Sequence, residues 1–246
     1  LLSSNAGEVL VVFLGVVLAG AIGLTPEAGS AVVVPLLATQ ILWINLLTDS
    51  GPALALGVEP ADHQVMLRPP RAAGSRVITG RMWLDIVLVG VVMAAGTLLV
   101  MDWGLPGGLL AGGAGAEQGL GHARTMGFTT LVFFQLFNAF NARFEVGSAF
   151  RGLFANRWLW GAVLLAAALQ VAVVHLPLLQ RAFSTAALSP RDWLICLAVA
   201  SSVLWLMELR KLAAGPRSGA RRSRTSSNGS GAGSGTPSGP ENRRGS

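Results

Sequence analysis

Apolar runs of about 20 residues recur along this chain, the length an α-helix needs to cross a hydrocarbon layer roughly 30 Å thick. Six such runs cover about 1–24, 33–57, 82–101, 126–145, 157–176 and 192–212. In lipid every backbone N–H and C=O must be satisfied internally, so runs of this length and spacing form helices. The expected fold class is therefore all-α: a polytopic membrane helix bundle of six transmembrane helices. Composition agrees, with 52% hydrophobic residues, 12% charged residues and a mean hydropathy of +0.58. A soluble chain carries roughly twice that charged fraction. The first run has no basic segment ahead of it and no start Met, so it reads as a span and not as a signal peptide. The chain begins abruptly, as a fragment does.

Arginine placement gives the expected orientation. The 58–81 loop holds Arg68, Arg71, Arg76 and Arg81, and the 143–157 loop holds Arg143, Arg151 and Arg157. The alternate connections hold only Arg124, Arg181 and Arg191. Basic loops stay on the cytoplasmic side, which puts both ends of a six-span chain in the cytoplasm. All but one of the basic residues are Arg, a composition that points to a GC-rich bacterial gene and a bacterial cell membrane.

The formal charge of +6 does not imply nucleic acid, because eight of the 18 Lys and Arg lie at or beyond Arg210. Residues 213–246 are rich in Arg, Ser, Gly and Pro, with too little apolar content to fold. They read as a disordered basic cytoplasmic tail after a membrane domain spanning 1–212. One cysteine, Cys196, rules out an internal disulfide or a thiolate metal cluster. His63, His122 and His175 fall in loops or at span ends and read as surface residues.

The chemistry lies in the polar residues inside the apolar runs. Glu8 and Asp49 are carboxylates at membrane depth, where an ionised group costs several kcal/mol, roughly 3 on insertion scales. No Lys or Arg occurs in either of their spans. Helical spacing puts Asn5 with Glu8 (i, i+3), and Asn45 with Thr48 and Asp49 (i, i+3, i+4). Gln135, Asn138 and Asn141 form a third stripe; Asn138 and Asn141 read as residues that join helices by hydrogen bonds. Carboxylate, amide and hydroxyl oxygens are hard ligands that suit Ca²⁺ or another hard cation. A proton relay is the competing functional reading. Ser50-Gly51-Pro52 implies a local unwinding just after Asp49, of the kind membranes tolerate where backbone lines a site.

Three segments carry a resemblance to a known family. LLSSNAGEV, QILWINLLTDSGPALALGVEP and VMLRPPR, in that order, resemble the C-terminal membrane region of P-type cation-transporting ATPases, in the Ca²⁺-pump branch. FFQLFNAFNAR is similar to the family's eighth helix. The resemblance runs from Leu1 to about Lys211, and it implies that the spans are helices five to ten of such a pump. It further implies a first cation site from Asn5, Glu8, Thr48 and Asp49, and a second from Asn45 and Asp49. Gln135 stands where reticulum-type calcium pumps have Glu, which removes one carboxylate. Plasma-membrane-type calcium pumps also show Gln there, but lack a Glu at the position of Glu8. Asn45 departs from the sodium/potassium branch, where Asp is usual, and TDSGPA departs from the commoner TDGLPA. The 58–81 loop resembles the loop that contacts the family's phosphorylation domain. The family's DKTGT phosphorylation motif is absent from this sequence. The resemblance therefore implies that ATP and Mg²⁺ chemistry belongs to a missing part: the phosphorylation, nucleotide and actuator domains and the first four helices. The partners expected are that part and the lipid bilayer. Mn²⁺, Na⁺ and K⁺ remain as alternative cargoes, and a non-catalytic membrane module or split-pump partner remains as an alternative role.

Overall fold

A computed structural model describes residues 2–24, 34–58, 78–105, 108–110, 119–143 and 156–213, apart from the side chains of Asp49, Arg81, Arg143 and Ala213. Residues 59–77, which hold Arg68, Arg71 and Arg76, and the tail from 214 onward lie outside that set. Every regular element among the described residues is helical. In chain order these are α1 (Leu2–Val17), α2 (Ala38–Ile44), a π-helical turn (Asn45–Ser50), α3 (Gly51–Gly57), α4 (Gly80–Trp103), α5 (Gly119–Arg143), α6 (Arg157–His175), α7 (Pro177–Phe183) and α8 (Pro190–Ala213).

Among the described residues three helices are long and apolar enough to cross a membrane: Met82–Trp103, Arg157–His175 and Pro190–Leu212. The chain is an integral membrane protein. The other expected spans differ for identifiable reasons. The helix at the start runs only from Leu2 to Val17, 16 residues. The second run is divided into α2, the π turn and α3. The fourth, α5, has 25 residues, but Thr, Gln and Asn interrupt its apolar composition.

That composition suits where α5 sits. From His122 to Leu136 its side chains are buried without a break, so α5 is enclosed by protein on all sides and its polar groups meet other helices. It packs against α4 and α8, while α1 lies along α4 and α3 along α6. Phe128, Leu131, Val132 and Phe134 of α5 join Val11, Ile44, Met93, Ala94 and Val203 in one core cluster. Small residues let the helices approach. A Cβ on Gly90 of α4 would lie 3.4 Å from the backbone of Ala6 and Gly7 in α1. One on Gly96 would meet the Phe134 ring at 2.6 Å. Without a hydrophobic drive between helices in lipid, such close packing is what holds them together.

Caps fix several helix starts. Ser189 and Asp192 cap α8 reciprocally: Asp192 Oδ2 accepts from the Ser189 amide at 2.9 Å, and Ser189 Oγ accepts from the Asp192 amide at 3.3 Å. Asn156 Oδ1 accepts from the Leu159 amide at 3.0 Å and starts α6. Near the opposite ends of α4 and α8, Asp85 pairs with Arg210.

Ser50-Gly51-Pro52 does not unwind the chain as the sequence implied. The polypeptide stays helical from Ala38 to Gly57, and the disturbance is absorbed by the π turn. Pro52 has no N–H to donate and sits in the first turn of α3, where helices tolerate it. A π turn bonds i to i+5 and inserts one extra residue, so the break in the ladder is spread over Asn45–Ser50.

Candidate functional site

Three elements meet at Glu8. It lies on the buried face of α1, with Ser4, Gly7 and Val11, and is 6% exposed. Asn45, the first residue of the π turn, donates from Nδ2 to Glu8 Oε2 at 3.1 Å. Gln135, from the middle of α5, donates from Nε2 to Glu8 Oε1 at 2.6 Å. Each carboxylate oxygen thus accepts from one amide. A buried carboxylate is stabilised by such charge-assisted bonds, each about 1.5–3 kcal/mol.

Thr48 completes the cluster from within the π turn. It is 5% exposed, and its hydroxyl lies 2.7 Å from the Ile44 carbonyl, one turn back. The same Oγ1 contacts Gln135 Oε1. A hydroxyl has a single proton, so it donates to one of these acceptors at a time. Ile44 O, Thr48 Oγ1 and Gln135 Oε1 therefore gather more lone pairs than protons. Thr48 bonds back to Ile44 while Asn45 bonds both Glu8 and the Ile41 carbonyl, the latter at 3.1 Å.

The other expected residues fall differently. Asn5 is exposed on α1, one turn from Glu8 but off its buried face. The i, i+3 spacing allowed a shared face; the packing of α1 on α4 turns only Ser4, Gly7, Glu8, Val11 and Gly15 inward. Asp49 belongs to the π turn by its backbone, and its side chain lies outside the described residues. Asn138 and Asn141 join helices: Asn138 Nδ2 donates to Ser3 Oγ at 2.9 Å, and Asn141 Nδ2 to the Val203 carbonyl at 3.3 Å. Among the described residues no three His, Cys, Asp or Glu side chains converge. Among the described side chains the cluster holds the Glu8 carboxylate, the amides of Asn45 and Gln135 and the Thr48 hydroxyl.

His122 corrects the sequence reading. It is 1% exposed, not a surface residue, and its Nε2 lies 3.4 Å from Asp192 Oδ2 at the start of α8. His175 is exposed and stacks on Trp193, with ring centroids 6.1 Å apart. His63 lies outside the described residues.

Sequence reasoning missed a second polar set beside the first. Gln40, Gln170 and Thr129 are all fully buried. Gln170 Oε1 accepts from Trp43 Nε1 at 3.2 Å, and its Nε2 donates to Thr129 Oγ1 at 3.2 Å. Gln40 Nε2 donates to the Phe183 carbonyl at 3.1 Å. A single Gln in an apolar run gives no signal in spacing or charge.

Comparison with known proteins gives the family of the chain. A family model described as "Cation transporting ATPase, C-terminus" matches residues 33–213. The chain is 39% identical over 179 residues to the mouse (Mus musculus) "Calcium-transporting ATPase type 2C member 2", covering 72% of this chain and 18% of that protein. Similarity to "Calcium-transporting ATPase 1" of Schizosaccharomyces pombe is 39% over 178 residues, 72% of this chain and 19% of that one. With the "Calcium-transporting ATPase" of Bacillus subtilis it is 33% over 207 residues, 84% of this chain and 21% of that one. The chain thus spans about a fifth of the length of these relatives.

Proposed function

The chain belongs to the family of cation-transporting ATPases, matching their C-terminal region, and from that premise we propose that it forms the membrane half of an ATP-driven pump for a hard cation, Ca²⁺ foremost. The observation that carries the proposal is the convergence of Glu8 from α1, Asn45 and Thr48 from the π turn and Gln135 from α5, with Asn45 and Gln135 bonded to Glu8 and Thr48 in contact with Gln135. The groups offered are a carboxylate, amides, a hydroxyl and the Ile44 carbonyl, all hard donors. The names of the relatives, calcium-transporting ATPases, support Ca²⁺ as the cargo.

In this reading Glu8, Asn45, Thr48, Asp49 and Gln135 supply ligands, Asp49 from within the π turn, and Asn5, exposed on α1, is not one of them. The amides that now donate to Glu8 rotate to present oxygen when a cation enters. Six spans place both ends in the cytoplasm, with residues 1–212 as the membrane domain and 213–246 as a basic tail. The phosphorylation, nucleotide and actuator domains and four further helices come from the rest of the pump, where ATP and Mg²⁺ act. Phosphorylation there drives release because the two pump states differ in cation affinity; a site that bound equally in both would move nothing.

The test is a cation panel on the ATPase activity of the complete pump containing this chain, with Glu8→Gln and Asp49→Asn alongside wild type. Activation by Ca²⁺, weakened in both variants, is expected. Identical cation dependence in all three proteins would overturn the assignment.

A further inference from the structure

We propose that α6 is a splint for the broken helix α2–π–α3, and that Gln170 and Asn156 are positioning residues for the cation site. The inference rests on the proposed function above, and names which residues outside the ligand set hold that site in shape.

The broken helix is gripped on both sides of its π turn by the same neighbour. Ahead of the turn, Trp43 Nε1 donates to Gln170 Oε1 at 3.2 Å. Beyond it, the Ala55 carbonyl accepts from Asn156 Nδ2 at 3.1 Å. Between them, a Cβ on Gly51 would lie 3.7 Å from Ala162 Cβ, an ordinary contact. The pairings 43 with 170, 51 with 162 and 55 with 156 run in opposite directions, so α6 lies antiparallel along the whole broken element. Both clamp residues are buried: Gln170 is fully enclosed and Asn156 is 5% exposed. Asn156 is itself held, since its Oδ1 caps α6 through the Leu159 amide.

The turn between the clamps needs holding. A π turn carries one extra residue, and a helix rotates ~100° per residue. If the turn relaxed to α geometry, one flank would rotate by about that angle relative to the other. Asn45 and Thr48 would then leave Glu8 and Gln135. Clamping Trp43 and Ala55 to one rigid helix resists that rotation. Gln170 adds a second restraint, because its Nε2 reaches Thr129 on α5 at 3.2 Å. Thr129 lies on the helix that carries Gln135, so one amide couples the two elements whose ligands must meet. Trp43 is steadied from its other side by an edge contact with Phe183, centroids 4.9 Å apart.

The experiment measures ATPase activation of the complete pump against cation concentration, using Ca²⁺ itself as the probe. Gln170→Met keeps the length of the side chain and removes both hydrogen bonds; Trp43→Phe removes one donor; Thr129→Val removes the other partner, and Thr129→Ser restores it. Loss of one buried bond corresponds to a rise of about three- to tenfold in the half-activating concentration. The maximal rate at saturating Ca²⁺ stays within about twofold, and the Trp43→Phe/Gln170→Met double variant is no worse than the poorer single one. Thr129→Ser behaves as wild type. Ser189→Ala, which removes a cap of α8, a helix that carries neither a clamp nor a ligand residue, lowers the thermal midpoint without moving the activation curve. If Gln170→Met does not fold, Trp43→Phe and Thr129→Val decide the matter. The splint is overturned if these variants change only the maximal rate or the thermal midpoint, or if the double variant is additive. Failure of the proposed function looks different: Glu8→Gln and Asp49→Asn would then also leave Ca²⁺ activation intact.

Discussion

Glu8→Gln separates a cation ligand from a structural carboxylate. The replacement keeps shape and removes charge. Glu8 now offers one oxygen to Asn45 Nδ2 at 3.1 Å and the other to Gln135 Nε2 at 2.6 Å. A glutamine offers one oxygen and one NH₂, so one amide would face a donor and a charge-assisted bond worth about 1.5–3 kcal/mol is lost. Against that, the carboxylate no longer has to be buried, which relieves a similar amount, roughly 2.5–3.5 kcal/mol on insertion scales for an acidic side chain. The two nearly cancel. Stability should change by only about 1 kcal/mol, or about 2–4 °C in thermal midpoint for a chain of this size. Cation binding has no such compensation. A unit charge pair about 4 Å apart is worth about 4 kcal/mol at an effective dielectric of about 20, and twice that for a divalent ion. If dehydration cancels two thirds, about 2.7 kcal/mol remains, a factor of about 100 in affinity. The assay is Ca²⁺ activation of ATPase in the complete pump, with the thermal midpoint measured on the same preparation. A midpoint close to wild type with half-activation raised about 100-fold is expected. An unchanged activation curve, or a loss of activity tracking a collapsed midpoint, would refute the reasoning.

Asp49→Asn should weaken Ca²⁺ activation at least as much, read in the same assay. Gln135→Glu should raise apparent affinity and make it depend on pH, because two carboxylates in contact cannot both stay ionised without a cation; a curve identical to wild type at every pH would make Gln135 purely structural. Gly96→Ala should cost about 1–3 kcal/mol by overpacking, since the new methyl meets the Phe134 ring at 2.6 Å and Val199 at 3.0 Å; thermal unfolding in detergent checks it. Breaking the Asp85–Arg210 pair by Arg210→Gln should cost under about 1 kcal/mol, because both side chains are partly exposed and screened; a double-mutant cycle with Asp85→Asn measures it.

The polar cluster around Glu8 was partly legible because helical periodicity is a local property. Asn45 and Thr48 had to share a side, and Glu8 at membrane depth had to find partners. Asn5 shows the limit of that logic. Three-residue spacing places two side chains near one face, but which of them turns inward depends on where the neighbouring helix lies, and α4 takes the Glu8 side. Ser50-Gly51-Pro52 shows another limit. The sequence carries a missing N–H and a missing side chain, yet whether the chain unwinds or widens depends on what holds its flanks, and α6 lies along both. His122 looked like a loop residue because it begins a helix; its burial depends on α8 arriving with Asp192.

Membrane character, the helical class and the carboxylate in need of partners were determined by the sequence alone, since they follow from the length of apolar runs and the cost of charge in lipid. The tertiary structure decided what no window of sequence contains: the pairing of Glu8 with Gln135, 127 residues away, and of Trp43 with Gln170, also 127 residues apart. The physical reason is that periodicity fixes the face of one helix, whereas these bonds depend on the rotation and depth at which separate helices come to rest against each other.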